Sequence, residues 1–183
     1  QHTAKAATAS SDLVCAACAA GTFTDSAGQS SCAAWRTCAA GTGQSIAGSA
    51  AADRQCAACV VGSTFSSVDN GDACAPVSAP CVSGLYTTAV ATASADRTCG
   101  ACAAGKFTAS AGRMSCATWA TCAAGHGQSV AGSATADRQC APCTQDATFS
   151  GADSGDACST VTTCSSNEYE TAKPTLTTDR TCR

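Results

Sequence analysis

The chain has 183 residues, a formal net charge of −3 at pH 7 and 17 cysteines. Leu, Ile, Val and Phe together make up only about a tenth of it, which is too little for a globular hydrophobic core. The weak negative charge also argues against a nucleic-acid partner. Cysteine at this density instead predicts a disulfide scaffold. Disulfides persist in oxidising compartments, so we expect an extracellular or cell-surface protein.

The cysteine spacing recurs along the chain with a period of about 42 residues, which indicates a tandem array. Residues 38–56 and 122–140 differ at only three positions, so the unit that duplicated is a pair of repeats. We predict the end of a truncated repeat at residues 1–17, followed by cysteine-rich repeats 1 to 4 at residues 18–58, 59–101, 102–142 and 143–183. The near-identity of distant copies leads us to expect a longer array.

Taken in chain order, residues 1–14 have the composition of a flexible tail. However, Asp12 stands three residues before Cys15, as an aspartate does before the last cysteine of each later loop. Each repeat then opens with a glycine and an aromatic residue, as at Gly21 and Phe23, and continues into a glycine-containing turn. This pattern predicts a small hairpin closed by a disulfide. The loop that follows has no 3.6-residue apolar period, so we predict no helix.

Two disulfide schemes fit the order of the cysteines, and each leaves one cysteine over because seventeen is odd. The first leaves Cys15 unpaired and joins Cys18–Cys32, Cys38–Cys56, Cys59–Cys74, Cys81–Cys99, Cys102–Cys116, Cys122–Cys140, Cys143–Cys158 and Cys164–Cys182. The second closes each C-x-x-C on itself, joins neighbours such as Cys32 and Cys38, and leaves Cys182 unpaired. We favour the first, because its longer loops stabilise more and closed C-x-x-C rings are redox-labile.

The frame of repeat 1 is Cys18-Ala-Ala-Gly21-Thr-Phe23, then Cys32 and Cys38, and finally Asp53-Arg54-Gln55-Cys56. It resembles the cysteine-rich repeats of the tumour necrosis factor receptor family. The family's middle cysteine is replaced by Trp35, Val77, Trp119 and Val161 in the four repeats, and its bonding partner is also missing. The resemblance therefore implies two disulfides per repeat, as in the first scheme. It further implies an elongated rod of small, disulfide-rich, mostly β or irregular modules, and it carries over no ligand contact.

Three patterns have a chemical interpretation that we do not favour. The C-x-x-C pairs contain zinc-ligand types, but a uniform array of cysteines with extracellular composition favours disulfides. The runs Asp69–Asp72 and Asp153–Asp156 carry oxygens suited to calcium, but they are too short for an EF-hand loop and are typical of hairpin turns. His2 and His126 have no counterpart in the other repeats. We therefore predict no catalytic residue, no metal site and no cofactor.

An Asp-Arg pair ends each long loop, at residues 53–54, 96–97, 137–138 and 179–180. We expect the Asp to cap a turn and the Arg to cover a neighbouring aromatic ring, although a repeated charged pair also suits a partner contact. Trp35 and Trp119 each stand three residues before a cysteine, as C-mannosylated tryptophans do. We expect each ring to pack on its disulfide, with glycosylation as the alternative. Ser and Thr make up about a quarter of the chain, so O-glycans are feasible.

The near-identity of the copies favours a structural role, as a segment of an extracellular fibre or cell-surface rod. Its partners would then be other copies of itself or neighbouring fibre chains. The alternative is a ligand-binding ectodomain, which predicts one repeat with a distinct aromatic or charged cluster. In the sequence, repeat 4 comes nearest to this, with Glu168, Tyr169, Glu170 and Lys173. We do not expect an enzyme, and no apolar run is long enough to cross a membrane.

Overall fold

A computed structural model describes residues 1–9 and 11–183, and that part of the chain consists of two-stranded antiparallel sheets without a helix. The chain divides into two compact units. Unit 1 contains residues Gln1–Ala79 and Ala89–Thr98, and unit 2 contains residues Pro80–Thr88 and Cys99–Arg183. Across the described residues, no apolar helix reaches the length needed to span a membrane. The predicted disulfide-rich, mostly β or irregular fold is confirmed.

The first half of each repeat forms a short hairpin, which we call the A hairpin. The four A hairpins are β3 (Thr22–Phe23) with β4 (Ala33–Ala34), β7 (Thr64–Phe65) with β8 (Ala75–Pro76), β11 (Lys106–Phe107) with β12 (Ala117–Thr118), and β15 (Thr148–Phe149) with β16 (Ser159–Thr160). These are the hairpins that the glycine–aromatic pattern predicts. Their strands have two residues each, so the sheet alone stabilises them little and the disulfide at the base must close them.

The second half of each repeat forms a longer hairpin, the B hairpin, which the sequence did not predict. The B hairpins are β5 (Thr42–Ile46) with β6 (Gln55–Ala58), β9 (Leu85–Ala89) with β10 (Thr98–Ala101), β13 (His126–Val130) with β14 (Gln139–Pro142), and β17 (Glu170–Ala172) with β18 (Thr181–Cys182). A bulge between Gln44 and Ile46 shifts the register of β5 against β6. This bulge interrupts the two-residue alternation by which strands are recognised in sequence.

The N-terminal residues also form a hairpin, although their composition alone resembles that of a flexible tail. Strand β1 (His2–Lys5) pairs with β2 (Val14–Ala16), and Thr3 lies opposite Cys15 just as Gln44 lies opposite Cys56. The same bulge follows in β1, between Thr3 and Lys5. This segment therefore has the register of a B hairpin.

Eight disulfides connect the described cysteines, in the pairs of the first scheme, with sequence separations from 14 to 18 residues. Cys15 is exposed and carries a free thiol. The most buried side chains are sulfur-bearing and polar ones, with Cys38 and Cys122 only 1% exposed and Thr24 and Thr108 also buried. Disulfides and hydroxyl groups thus occupy the interior that aliphatic side chains fill in globular domains.

Two backbone hydrogen bonds connect each A hairpin to its surroundings. The first runs to the B loop of the same repeat, as from the Thr24 N–H to the Ala50 carbonyl at 3.2 Å. In the second, a backbone N–H of the preceding B hairpin donates to a carbonyl of the A hairpin, as from the Gln44 N–H to the Asp72 carbonyl at 2.8 Å. Equivalent bonds recur along the chain, including one from Thr87 to Arg113. Backbone hydrogen bonds therefore connect neighbouring modules, and they place no demand on the side chains of the residues that form them.

Candidate functional site

The aspartate of each Asp-Arg pair holds the junction between the two halves of its repeat. The Asp53 carboxylate accepts hydrogen bonds from the Arg36 N–H at 2.9 Å, the Arg36 Nε at 2.8 Å and the Arg54 N–H at 2.8 Å. These bonds, first those from the Arg36 side chain and then those from its backbone, lower the pKa of Asp53 below its usual value of 3.8. Because the acceptor capacity is taken up inside the repeat, the carboxylate has a structural role.

The same junction recurs with hydroxyl donors in place of Arg36. Asp96 accepts hydrogen bonds from the Ser78 hydroxyl and N–H and from the Arg97 N–H, and these bonds lower its pKa. Asp179 accepts the corresponding bonds from Thr162 and Arg180, again with a lowered pKa. The aspartate of each of these pairs therefore connects the two halves of its own repeat, a structural role.

The arginine of the pair covers the tryptophan of the same repeat. Arg54 Cζ lies 5.5 Å from the Trp35 ring centroid, and Arg138 Cζ lies 5.6 Å from that of Trp119. A Cβ at Gly71 would meet the Arg54 guanidinium at 1.6 Å, so this glycine makes room for the charged group. The arrangement is a cation–π stack that extends from one repeat to the turn of the next.

Trp35 and Trp119, the two candidate glycosylation sites, are half-buried. The Trp35 Nε1 donates to the Ser49 carbonyl at 3.1 Å, and a Cβ at Gly48 would lie 2.5 Å from the indole ring. The ring is thus held between Gly48 and Arg54. Glycosylation of the two tryptophans stays a prediction.

The carboxylates considered for calcium are used within the fold. Asp69 accepts a hydrogen bond from the Ala40 N–H at 2.7 Å, and the Asn70 side chain bonds Asp72 at 2.6 Å and 3.0 Å. Asp153 accepts the equivalent bond from Ala124 at 2.9 Å. These contacts fasten the tip of one A hairpin to the preceding repeat, as a structural turn would.

His2 lies beside a disulfide. Its Nδ1 is 3.2 Å from the Cys32 Sγ, and His2, Cys18 and Cys32 present ligand atoms within 4.8 Å of one another. However, Cys18 and Cys32 are bonded to each other, so neither provides the thiolate that zinc requires.

An open groove lies beside the phenylalanine of the A hairpin in repeats 1, 2 and 3. The groove in repeat 3 has a volume of about 570 Å³ and includes Phe107, Arg113 and Met114 in its lining. Lys106 lines a second groove with Tyr86, and Ser115 borders both. The two grooves therefore adjoin at one hairpin.

This surface is where repeat 3 departs most from repeat 1. At the equivalent positions Lys106 replaces Thr22, Arg113 replaces Gln29 and Met114 replaces Ser30. Ala109 also replaces Asp25, so the hairpin changes from one negative charge to two positive charges. This cluster is not conspicuous within repeat 3 alone, and it emerges only as a difference when the sequences of repeats 1 and 3 are aligned.

The cluster expected in repeat 4 is partly engaged in local contacts. Glu168 accepts hydrogen bonds from the Ser165 N–H and hydroxyl, which lower its pKa, and Glu170 forms an ion pair with Arg180 at 2.8 Å. Tyr169 remains 66% exposed. The two glutamates are therefore less available to a partner than their sequence suggests.

Comparison with known proteins agrees with this geometry. The family model described as the TNFR/NGFR cysteine-rich region matches residues 18–56 and 102–140, which lie in repeats 1 and 3. Residues 18–56 and 102–140 are thus similar to the cysteine-rich repeats of the tumour necrosis factor receptor family. The eight disulfides of the described residues make the chain an extracellular or cell-surface protein. The comparison with curated proteins gave no match.

Among solved structures, one similar chain belongs to a human RANKL/OPG complex, at 23% identity and a TM-score of 0.43. The alignment covers 88% of the present chain and 95% of the chain in that complex. A chain from the crystal structure of a mouse RANKL-OPG complex is 22% identical with a TM-score of 0.35, and covers 75% of this chain and 97% of that one.

Proposed function

We propose that this TNF-receptor-type chain is a ligand-binding segment of an extracellular protein, and that its partner is another protein. The observation that carries the proposal is the match of two repeats to the TNFR/NGFR cysteine-rich region. Disulfides and backbone hydrogen bonds hold the modules, so side chains on the outside can differ between repeats without loss of the fold. Such a scaffold suits recognition, because a pre-organised surface loses little entropy on binding.

The fibre interpretation receives less support. It rests on the near-identity of distant copies, which holds for residues 38–56 and 122–140 in the B halves of repeats 1 and 3, and for residues 64–74 and 148–158 in the A hairpins of repeats 2 and 4. The A hairpins of repeats 1 and 3 differ in both charge and size. In repeats 1 and 3, near-identical B halves stand beside A hairpins that differ, which favours a common scaffold that presents a distinct surface.

The groove at Phe107 has no carboxylate, imidazole or thiol in its lining, so it suits binding better than catalysis. The proposal includes four repeats, at residues 18–58, 59–101, 102–142 and 143–183. In each repeat, the A and B hairpins form the scaffold that carries the binding surface.

The experiment uses the exposed thiol of Cys15 to attach the oxidised chain to a biosensor through a maleimide linker. Purified secreted proteins and ectodomains from the source organism are then passed over it. We expect saturable binding of a protein other than the chain itself, and loss of binding after reduction and alkylation. If no such protein binds, the proposed function is wrong, and binding of further copies of the chain would support the fibre interpretation instead.

A further inference from the structure

The A hairpin of repeat 3 displays two unneutralised positive charges beside apolar surface. Lys106 and Arg113 are both exposed, and Met114 is 60% exposed. Within residues 1–9 and 11–183 the ion pairs are Arg36 with Asp53 and Arg180 with Glu170, so neither Lys106 nor Arg113 takes part in one. The cations are therefore available to an external carboxylate.

The backbone under this surface is fixed at several points. The Cys102–Cys116 disulfide closes the hairpin. The Gly112 N–H donates to the Cys81 carbonyl at 2.8 Å, and the Arg113 carbonyl accepts from the Thr87 N–H at 2.8 Å. The Arg113 Nε also donates to the Ser110 hydroxyl at 3.0 Å, which orients the guanidinium. A partner would thus meet a pre-organised surface, which lowers the entropic cost of binding.

The side chains are of types that recur at protein interfaces. Arg, Met and aromatic residues are enriched at interface centres, and exposed charges steer an oppositely charged partner. Here Arg113 and Met114 line one groove with Phe107, and Lys106 lines the adjoining groove with Tyr86. The equivalent hairpin of repeat 1 carries Thr, Gln and Ser at the three substituted positions, although it keeps the same cysteine spacing.

We propose that Lys106, Arg113 and Met114 form the docking surface for a protein segment that carries carboxylates next to an apolar side chain. The two cations would bind the carboxylates, while Met114 and the Phe107 ring would receive the apolar group. This inference rests on the proposed function, since it locates the binding surface and specifies the chemistry of the partner.

The test exchanges the surface for its natural counterpart in repeat 1. The variant Lys106→Thr/Arg113→Gln/Met114→Ser introduces the residues found in the A hairpin of repeat 1, which has the same cysteine spacing. The substitutions should therefore be compatible with the fold. A matched control, His126→Thr/Val130→Ile/Thr135→Ala, replaces three residues in the B half of repeat 3 with their repeat 1 counterparts. Unchanged disulfide masses and melting temperatures establish that both variants fold.

The probe is a short fluorescein-labelled peptide of Glu and Leu, with a second peptide in which Gln replaces every Glu. We expect the acidic peptide to bind the full oxidised chain, more weakly as salt is added, and the triple exchange to weaken binding at least about tenfold. The control variant should bind as the parent does. Equal binding by the triple exchange, equal binding of the neutral peptide, or no binding of the acidic peptide overturns the assignment. Preference for a heparin fragment also overturns it, because it would indicate a polysaccharide site.

The two proposals fail in different experiments. If a purified extracellular protein binds the parent chain and the triple exchange equally, the docking surface is wrong but the proposed function holds. If no extracellular protein binds the parent chain, the proposed function fails whatever the peptide does.

Discussion

Asp146 occupies a backbone position that the other A hairpins give to glycine. Its φ is 61°, while the equivalent Gly62 in repeat 2 has a φ of 80°. Residues with a Cβ rarely adopt this left-handed conformation, although Asp tolerates it better than most. Repeat 4 therefore carries a local strain that repeat 2 lacks.

Replacing Asp146 with Gly should consequently stabilise the chain, by about 0.5–1 kcal/mol. Thermal unfolding of the oxidised protein measures the change, and Gly62→Asp in repeat 2 should lower stability by a similar amount. A lower melting temperature for Asp146→Gly would contradict the argument.

Gly48 allows the Trp35 ring to lie against the backbone, since a Cβ there would come within 2.5 Å of the indole. We predict that Gly48→Ala displaces Trp35 from its stack with Arg54 and costs about 1–3 kcal/mol. Trp35 fluorescence in a Trp119→Phe background reports the displacement. Ala51→Thr is the control, because repeat 3 has Thr135 at that position. An unchanged Trp35 spectrum in Gly48→Ala would refute the packing role of Gly48.

At the scale of elements, the Asp junctions make stability depend on acid pH. Hydrogen bonds lower the pKa values of Asp53, Asp96 and Asp179 in the folded chain. A carboxyl group whose pKa is lowered on folding contributes stability above its unfolded pKa, and loses it as the pH falls through the folded value. We therefore expect a constant melting temperature near neutrality and a decline once the pH drops below the ordinary value of 3.8.

Asp96→Asn should flatten this acid decline, because it removes one of the three titrating junctions. The control is Asp25→Asn, whose carboxylate accepts a bond from the adjacent Ser26 hydroxyl at 3.1 Å. If Asp96→Asn and the parent lose stability over the same pH range to the same extent, the junction is not the cause.

The disulfide scheme predicts a definite thiol count. The oxidised chain should react with a single equivalent of iodoacetamide in denaturant, at Cys15, and with 17 after reduction. Non-reduced peptide mapping should recover pairs such as Cys38–Cys56. Closed C-x-x-C peptides, or a free thiol at Cys182, would support the second scheme instead.

Sequence reasoning predicted the A hairpins because their signal is local, with a Gly-aromatic start and a turn glycine between two cysteines. It missed the B hairpins because β5 carries Gly43 and Ser45 where strands usually carry apolar side chains. A Cβ at Gly43 would come within 2.3 Å of the Cys74 backbone N, so the glycine reflects a long-range contact that no local pattern reveals. The surface at Lys106 was visible in the sequence only as a difference between repeats.

For the whole molecule, the central question is whether the chain binds another protein or assembles with itself. The disulfides close each module internally, and backbone hydrogen bonds connect neighbouring modules of the same chain. We therefore expect the chain to fold as a monomer. An obligate fibre segment would instead be expected to bury a large surface between chains.

Sedimentation velocity of the oxidised chain, with Cys15 alkylated, tests this most directly. We predict a single species at the monomer mass of 17.7 kDa over a hundredfold range of concentration, and a heavier species only when a heterologous extracellular protein is added. Concentration-dependent growth into long assemblies without any added protein would contradict the account.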